Sequence, residues 1–312
     1  MKRTPFPGYE NHTNSYLTGE LQEIVAVKQA NGAAMMQYTL PEGWKMDTIE
    51  IESAVEGESM KLRLFVPTNL PAGAGMILDV HGGGFVGGNI EIDNARCIGL
   101  AREGRAVVAS VEYHLSNKEV HFPTPMLDCY KAYKWLQAHA ADFGCDGTKI
   151  GLHGSSAGGT LCGGLALYLR DHGEQQPVLT ILNCACYETG LQETMAFQQN
   201  IELEMGAGVP KGVNVEAAYL GGFSGQTPSY WAFPGYCHDV GGLGAHFIIA
   251  AEYDTLRDGA LKYARRLLNA GVPTDVLVAG RLAHCYSSVP GAATDLLNAQ
   301  MGLYFRRECG LL

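Results

Sequence analysis

Apolar and polar positions alternate in two short segments near residue 50 and then give way to largely apolar runs. Every second position is apolar in the two segments, at Ile49 and Ile51 and then at Leu62, Leu64 and Val66. This period of two predicts an antiparallel hairpin with one solvated face, at the edge of a sheet. The apolar runs at residues 76–80 and 106–111 predict strands that are covered on both faces, as in a parallel sheet.

Helical patterns alternate with further strands along the rest of the chain. One apolar stripe has helical spacing and predicts a helix that ends before Gly144, with its buried face at Met126, Cys129, Tyr130, Tyr133, Leu136 and Ala140. Strands are predicted at residues 149–153, 178–182, 246–251 and 274–278, and helices at 157–170, 259–270 and 292–306. This alternation predicts an α/β fold with helices on both faces of a mostly parallel central sheet.

Two regions lack this alternation and are predicted to lie outside the sheet. Residues 1–45 are rich in Asn, Gln, Met, Tyr and Gly, and we interpret them as an appendage to a domain of residues 46–312. The pattern also breaks after Cys184, with a helix-prone stretch at 191–205 and an aromatic, Gly-rich stretch at 219–236. We interpret this second region as an insertion into the domain.

Composition and charge limit the classes of protein to which the chain can belong. Of its 312 residues, 46% are hydrophobic and 17% are charged, a balance that excludes wholesale disorder. The formal net charge of −10 gives no overall attraction to phosphate groups, which argues against nucleic acid as a partner.

Cysteine usage and the lack of long apolar runs favour a cytoplasmic protein. The nine cysteines form no regular disulfide framework, so we expect reduced thiols. The apolar stretch that an export signal requires does not follow Lys2 and Arg3. No run approaches the roughly 18 apolar residues of a membrane span, and we expect none.

Residues 154–158 read Gly-Ser-Ser-Ala-Gly, which matches the Gly-X-Ser-X-Gly pattern of a nucleophilic serine. A predicted strand precedes the motif and a helix of small residues follows it. Ser156 would therefore lie on a sharp strand-to-helix turn with its hydroxyl exposed. In a chain with 40 glycines, the alternative is a glycine-rich turn with an incidental serine.

A second glycine-rich segment, His-Gly-Gly-Gly-Phe at residues 81–85, directly follows the strand predicted at 76–80. Its three glycines permit a loop whose amide hydrogens converge on one point. Such backbone donors stabilise the charged oxygen of a tetrahedral intermediate. The alternative is a flexible loop or a site for some other anion.

Together these motifs resemble those of the hormone-sensitive-lipase-like carboxylesterases of the α/β-hydrolase superfamily, from about residue 48 to the end. That family carries His-Gly-Gly-Gly and Gly-Asp-Ser-Ala-Gly-Gly. The resemblance implies a triad of Ser156, Asp254 and His284, in the chain order of the fold. Asp254 opens a segment similar to Asp-Pro-Leu-X-Asp, and His284 follows the last strand.

The resemblance also implies a mechanism and an oxyanion hole. The N–H groups of Gly83, Gly84 and Ala157 would hold the charged oxygen while the triad transfers an acyl group to water. This chemistry requires no metal and no organic cofactor. The expected function is hydrolysis of small carboxylic esters with short-acyl, aryl or acetyl groups.

Several residues compete for these roles. Asp258 is the alternative acid, and His246 is the alternative histidine, although its place at the start of a strand favours a core or surface imidazole. His81 is expected to shape the glycine loop rather than to react. Cys184 and Cys186 have no second ligand cluster beside them in the sequence, so we expect them to pack rather than to bind a metal.

Several positions depart from the family pattern, including Ser116, Asn117 and Tyr286, and three others lie beside expected functional groups. His114 stands where the family has arginine in Tyr-Arg-Leu, and Ser155 stands where it has an acid beside the nucleophile. Cys285 replaces the glycine that follows the histidine. None of these changes removes a reacting group, but each alters what surrounds one.

In the family, the N-terminal segment and the insertion pack together as a cap over the active site. Here those parts are residues 1–45 and about 186–240, and the aromatic residues expected to line the pocket are Phe85, Tyr187, Trp231, Phe233 and Tyr236. Packing within the cap is the alternative role for these rings.

Two other functions are compatible with the same motifs. One is a catalytically weak member of the fold that binds a small molecule, and the other is an amide or lactone hydrolase with the same triad. The partner expected in each case is a small molecule. A homodimer is the oligomeric state that we consider.

Overall fold

A computed structural model of the chain describes residues 6–9, 37–190, 194–204, 215–222 and 229–312. Within these ranges eight strands form one sheet: β1 (Lys45–Glu52), β2 (Ser59–Val66), β3 (Ala74–Val80), β4 (Val107–Val111), β5 (Cys145–Ser155), β6 (Leu179–Asn183), β7 (Ala245–Tyr253) and β8 (Thr274–Ala283). Their order across the sheet is β1-β2-β4-β3-β5-β6-β7-β8. The pairs β1–β2 and β2–β4 are antiparallel and all other neighbours are parallel.

Helices cover both faces of this sheet, which confirms the predicted fold class. They are α1 (Asn94–Gly104), α2 (Thr124–His139), α3 (Ala157–Asp171), α4 (Met195–Glu204), α5 (Val215–Leu220), α6 (Arg257–Asn269) and α7 (Ala292–Glu308). Apolar side chains of α1 and α7 contribute to one buried core, and those of α2, α3 and α6 contribute to another. Two cores separated by the sheet explain why all residues of β3 and β4 are buried.

Helix α1 was not predicted, because its buried face is partly polar. Asn94 and Arg96 are buried beside Cys97, so the apolar stripe that marks an amphipathic helix is interrupted. Strands β5 and β8 also extend beyond the predicted 149–153 and 274–278. At β8 the extension contains alanine, glycine and arginine, which lack strand preference, and main-chain pairing with β7 supplies the order instead.

Asp79 is a carboxylate within the otherwise apolar strand β3, and it is fully buried. Its oxygens accept hydrogen bonds from His153 at 2.6 Å and Ser110 at 3.2 Å, and the Arg96 guanidinium lies 3.6 Å away. Burial by itself raises the pKa of Asp79, but Arg96 and His153 outweigh it and lower the pKa to about 2. This buried ion cluster therefore accounts for both polar interruptions, in β3 and in α1.

Only part of the predicted N-terminal appendage is among the described residues, because 1–5 and 10–36 lie outside them. Residues 6–9 pack against the last part of the domain, where the Tyr9 hydroxyl accepts a hydrogen bond from the Thr294 N–H at 2.9 Å. The region interpreted as an insertion contains α4 and α5. The helix predicted at 191–205 corresponds to α4. The first three residues and the last residue of the predicted range lie outside the described residues.

His114 links three separate segments through two carboxylates. Its Nδ1 lies 2.7 Å from Asp128 Oδ2 on α2, and its Nε2 lies 3.1 Å from Glu58 Oε2 in the β1–β2 turn. Burial favours a lower pKa for His114, but hydrogen bonds and attraction to both carboxylates raise the pKa above its ordinary value of 6.5. The protonated imidazole therefore stabilises the fold.

We expect the contribution of His114 to stability to depend on pH. Because the pKa is raised in the folded state, the contribution is complete below pH 6.5 and is lost as pH rises through the folded-state value. Urea unfolding of wild type and His114→Gln, from about pH 6 to about pH 9, should show the difference in unfolding free energy shrinking with pH. His114→Arg, which stays charged, is the control. A difference that is constant with pH contradicts this account.

Candidate active site

Ser156 lies on the sharp turn between β5 and α3, as predicted. Its backbone has φ 53° and ψ −123°, which is a strained conformation for a residue with a side chain. A Cβ added at Gly154 would collide with the main chain of Gly158, and one added at Gly158 would collide with Val80. The two glycines therefore let strand and helix approach closely enough to form this turn.

Three side chains that are far apart in the sequence meet at the carboxyl ends of the parallel strands. Ser156 Oγ lies 2.9 Å from His284 Nε2, and His284 Nδ1 lies 2.9 Å from Asp254 Oδ2. With the ring proton on Nδ1, the imidazole donates to Asp254 and accepts from the Ser156 hydroxyl. Asp254 follows β7 and His284 follows β8, so the parallel order of the strands brings the residues together.

Asp254, at the end of this series of hydrogen bonds, is buried and is fixed by further hydrogen bonds. Asp254 is fully buried, and its Oδ1 accepts a hydrogen bond from the Leu256 N–H at 2.8 Å. Asn200 of α4 donates its side-chain amide to the Asp254 carbonyl at 3.0 Å. Helix α4 of the insertion therefore helps to place the acid, a role for Asn200 that sequence patterns did not indicate.

The charge of Asp254 controls the protonation of His284. Burial by itself lowers the pKa of His284, but attraction to the Asp254 carboxylate outweighs burial, and Cys285 acts in the same direction. The pKa of His284 is therefore raised well above its ordinary value of 6.5. An imidazole in this setting readily accepts and holds a proton.

The glycine loop lies directly against Ser156. A Cβ placed on Gly82 would be 3.3 Å from the Ser156 Cβ, and Gly83 and Gly84 have φ values of 126° and 62°, which favour glycine. Gly87 closes the loop by donating its N–H to the Gly83 carbonyl at 3.0 Å. In the described part of the chain, the N–H groups of Gly83, Gly84 and Ala157 donate no hydrogen bond.

His81 and His246 are both buried, and the Nδ1 of each ring contacts a main-chain carbonyl oxygen. The His81 ring stacks on Tyr113 with centroids 4.3 Å apart, and its Nδ1 lies 2.7 Å from the Gly82 carbonyl oxygen. His246 lies in β7, with Nδ1 2.8 Å from the Gly244 oxygen. Burial lowers the pKa of both histidines to about 4, so both are neutral near pH 7.

Asp258 makes different contacts from those of Asp254. It lies in α6, where it accepts a hydrogen bond from the Ala196 N–H at 2.8 Å and forms an ion pair with Arg257 at 3.0 Å. It thus attaches α4 to α6. Of the two candidate acids, Asp254 is the one that lies within hydrogen-bond distance of His284.

The aromatic residues expected to line a pocket fall into two groups. Phe85 and Phe233 are buried beside the glycine loop, where the Phe85 ring stacks on Tyr219 of α5 with centroids 4.0 Å apart. Phe233 packs edge-on against both rings. Tyr219 was not predicted, because the six-residue helix α5 gives too little periodicity to identify.

The other three aromatic residues make contacts elsewhere. Tyr187 is buried against Tyr263 of α6, with ring centroids 5.0 Å apart, and the Tyr236 hydroxyl bonds to Thr189 at 2.7 Å. Trp231 donates its indole N–H to Asp171, the last residue of α3. A helix of this length places Asp171 about 21 Å from Ala157, so the indole of Trp231 lies at the end of α3 remote from Ser156, while its main-chain carbonyl packs against Gly164 in the middle of the helix.

Cys285 adopts a conformation that explains the family preference at its position. Its backbone has φ 53° and ψ 34°, the left-handed region that glycine enters without penalty and other residues enter at a cost of about 1 kcal/mol. The loop keeps this conformation although it carries a side chain, and His284 still reaches Ser156.

The family model for the alpha/beta hydrolase fold matches residues 77–288 of the chain. The chain belongs to the α/β-hydrolase family. Among the relatives of this α/β-hydrolase, esterase LipI of Mycobacterium tuberculosis (strain ATCC 25618 / H37Rv) is 31% identical over 260 residues, which cover 80% of this chain and 79% of LipI. An arylesterase of Saccharolobus solfataricus is 30% identical over 232 residues, which cover 73% of each chain.

Solved structures of esterases have the same fold as this α/β-hydrolase. A bacterial heroin esterase superposes with a TM-score of 0.78 at 28% identity and covers 93% of this chain and 92% of that one. Hormone-sensitive lipases are also among the matching relatives, which confirms the resemblance seen in the motifs. The α/β-hydrolase is a carboxylesterase-type hydrolase. Among its described residues, no helix combines the length and apolarity needed to cross a membrane.

Proposed function

We propose that this α/β-hydrolase cleaves small carboxylic esters through an acyl-enzyme formed on Ser156. The observation that supports this most is the pair of 2.9 Å hydrogen bonds that join Ser156 to His284 and His284 to Asp254. Geometry of this kind makes a serine hydroxyl nucleophilic, because the histidine removes the proton as the oxygen attacks. Release of p-nitrophenol from p-nitrophenyl acetate, measured for wild type and Ser156→Ala, tests the proposal.

In the first half of the reaction, Ser156 Oγ attacks the ester carbonyl carbon and its proton passes to His284 Nε2. The buried Asp254 carboxylate stabilises the imidazolium that results. The carbonyl oxygen gains a negative charge and would be held by the unpaired N–H groups of Gly83, Gly84 and Ala157. When the intermediate collapses, the proton on Nε2 transfers to the departing alcohol and the acyl group remains on Ser156.

In the second half, water replaces the alcohol. His284 Nε2 removes a proton from the water, whose oxygen attacks the acyl carbon, and a second oxyanion forms at the same N–H groups. Collapse of this intermediate returns the proton to Ser156 Oγ and releases the carboxylic acid. Each step uses side chains, main-chain N–H groups and water.

The aromatic cluster of Phe85, Tyr219 and Phe233 supports a preference for short acyl groups. Phe85 directly follows Gly84, so the cluster borders the proposed oxyanion hole. Its rings are buried and packed on one another, which makes this wall costly to move aside for a long acyl chain. The name of the arylesterase relative is consistent with aryl esters as substrates.

We expect kcat/KM for p-nitrophenyl esters to be highest at acyl lengths of about two to four carbons. Phe85→Ala should move the optimum to longer acyl chains by removing part of the wall. Trp231→Ala is the matched control, since Trp231 lies at the far end of α3, and its profile should equal that of wild type. A wild-type maximum at long chains, or equal shifts in both variants, contradicts the proposed wall.

The remaining expectations concern the surroundings of the enzyme. All nine cysteines lie in the described ranges and are free thiols, which supports a reducing compartment such as the cytoplasm. A cap made of residues 1–45 and about 186–240 stays a prediction, supported by the contact between α5 and Phe85. A homodimer also stays a prediction, which analytical ultracentrifugation tests.

A further inference from the structure

One buried amide contacts both loops that carry the reacting groups. Asn183 ends β6 and is fully buried. Its Nδ2 donates one hydrogen bond to Ser155 Oγ at 2.9 Å and another to Ser287 Oγ at 2.8 Å. Its main-chain carbonyl accepts the N–H of Ser156 at 2.9 Å.

These contacts connect the nucleophile turn to the histidine loop. Ser155 precedes the nucleophile, and Ser287 lies three residues after His284 in a short 3₁₀ turn. Both serines are buried, so water cannot readily replace the amide as their partner. Asn183 thereby links the two loops by side-chain hydrogen bonds in addition to the contact between Ser156 and His284.

We propose that Asn183 is a positioning residue that holds Ser156 and His284 at reacting distance. It acts through Ser155 and Ser287, in a chain where serine stands at the position usually occupied by an acid in this family. The proposal rests on the proposed function, because it concerns the geometry of the same triad. The uncharged side chains of Ser155, Asn183 and Ser287, joined by hydrogen bonds, would then take the place of a charged residue beside the nucleophile.

The test compares Asn183→Ala with Thr180→Val. Thr180 lies on the same strand and is fully buried, and no hydrogen-bond partner for its hydroxyl exists in the described part of the chain. Asn183→Ala should lower kcat per folded molecule about tenfold to a hundredfold with little change in KM, and Thr180→Val should leave kcat unchanged. A merely structural role for Asn183 would lower the melting temperature and leave kcat per folded molecule intact.

Ser287→Ala keeps the proposal testable if Asn183→Ala does not fold. It should also lower kcat, and it should add little when combined with Asn183→Ala, because both break the same connection. Equal kcat values in Asn183→Ala, Ser287→Ala and Thr180→Val overturn the positioning role. If Ser156→Ala remains active, the proposed function fails instead, so the two failures are distinguishable.

An independent observation concerns Cys184, which follows Asn183. Its thiol is buried, and its Sγ, one nitrogen of His284 and one carboxylate oxygen of Asp254 all lie within 4.8 Å of one another. The ligand atoms of a bound Zn²⁺ ion lie about 2.0 to 2.3 Å from the metal. Because these three atoms lie within 4.8 Å of one another, small movements would bring each of them to that distance from a shared ion. A set of sulfur, nitrogen and oxygen donors suits Zn²⁺ or Cd²⁺.

We infer that a thiophilic divalent cation binds Cys184, His284 and Asp254 and thereby inhibits the proposed hydrolysis. Binding would form bonds from the metal to Cys184 Sγ, to His284 Nδ1 and to an Asp254 oxygen. The thiol proton of Cys184 would be released to solvent, and the proton on His284 Nδ1 would move to Nε2. The ion would take the place of the hydrogen bond between His284 and Asp254, so the imidazole could no longer act as the base. This inhibition rests on the proposed function, but the binding itself does not.

Cadmium titration tests the site with a readout that does not depend on activity. Wild type should bind one Cd²⁺ per protein molecule, and the ultraviolet absorption of a cadmium–thiolate bond should appear as it binds. Ester hydrolysis should be lost in parallel. Cys184→Ser should stay active, bind at least about tenfold more weakly and lack the absorption. Cys162→Ser, which removes a buried thiol of α3, is the control and should behave as wild type. Absorption and inhibition that persist in Cys184→Ser overturn the site.

Discussion

Replacing Ser156 with alanine is expected to lower kcat for p-nitrophenyl acetate about 10⁴-fold to 10⁶-fold, the loss found when a triad nucleophile is removed. The variant keeps the turn and the glycine loop, so KM should change little. What it loses is the hydroxyl oxygen that lies 2.9 Å from His284 Nε2. Steady-state kinetics with purified wild type and variant measure the effect.

Ser155→Ala is the control for this comparison. Ser155 is the adjacent hydroxyl, but its Oγ contacts Asn183 rather than His284, so its removal should cost at most about a hundredfold in kcat. Equal activity of Ser156→Ala and wild type contradicts the acyl-enzyme. If neither wild type nor Ser156→Ala hydrolyses any ester, amide or lactone while wild type binds a small molecule, the hypothesis of a small-molecule-binding protein is favoured.

Replacing Asp254 with asparagine is expected to lower kcat about 10⁴-fold, the size of the effect when the triad acid becomes an amide. The amide cannot stabilise the imidazolium, and its N–H₂ group favours the wrong tautomer of His284. Because Asp254 is what raises the pKa of His284, the pKa of His284 should fall in the variant. The acid limb of the pH profile of kcat/KM should therefore move to lower pH.

Asp258→Asn is the matched control, because Asp258 is the alternative acid four residues away. It contacts Ala196 and Arg257, so its replacement should affect the attachment of α4 and leave the pH profile in place. A loss of activity that is larger in Asp258→Asn than in Asp254→Asn contradicts the assignment of the acid.

The sheet was largely predictable because its strands are marked by two different patterns. Alternation marked the exposed hairpin of β1 and β2, and apolar runs marked the buried strands. The prediction missed α1, where buried Arg96 and its ion pair with Asp79 interrupt the apolar stripe. A buried polar face has no periodic signature, so only the three-dimensional structure reveals it.

The sequence predicted the parts of the site where the backbone conformation requires glycine. The glycines around Ser156 and those of the loop at residues 82–84 are required by close approach and positive φ, which makes them visible as motifs. Asn183 and Asn200 act through hydrogen bonds to residues distant in the sequence, and no local pattern announces such contacts. Trp231 was expected near the pocket because it lies in the insertion, but the path of the chain carries it to the other end of α3.

Labelling with a fluorophosphonate tests the central claim most directly, because the reagent reacts only with an activated serine. Mass spectrometry of the intact protein and its peptides should show one adduct on wild type, located at Ser156. The adduct should be absent from Ser156→Ala and should form far more slowly on His284→Ala. Wild type without an adduct, or Ser156→Ala labelled at the wild-type rate, would contradict the account.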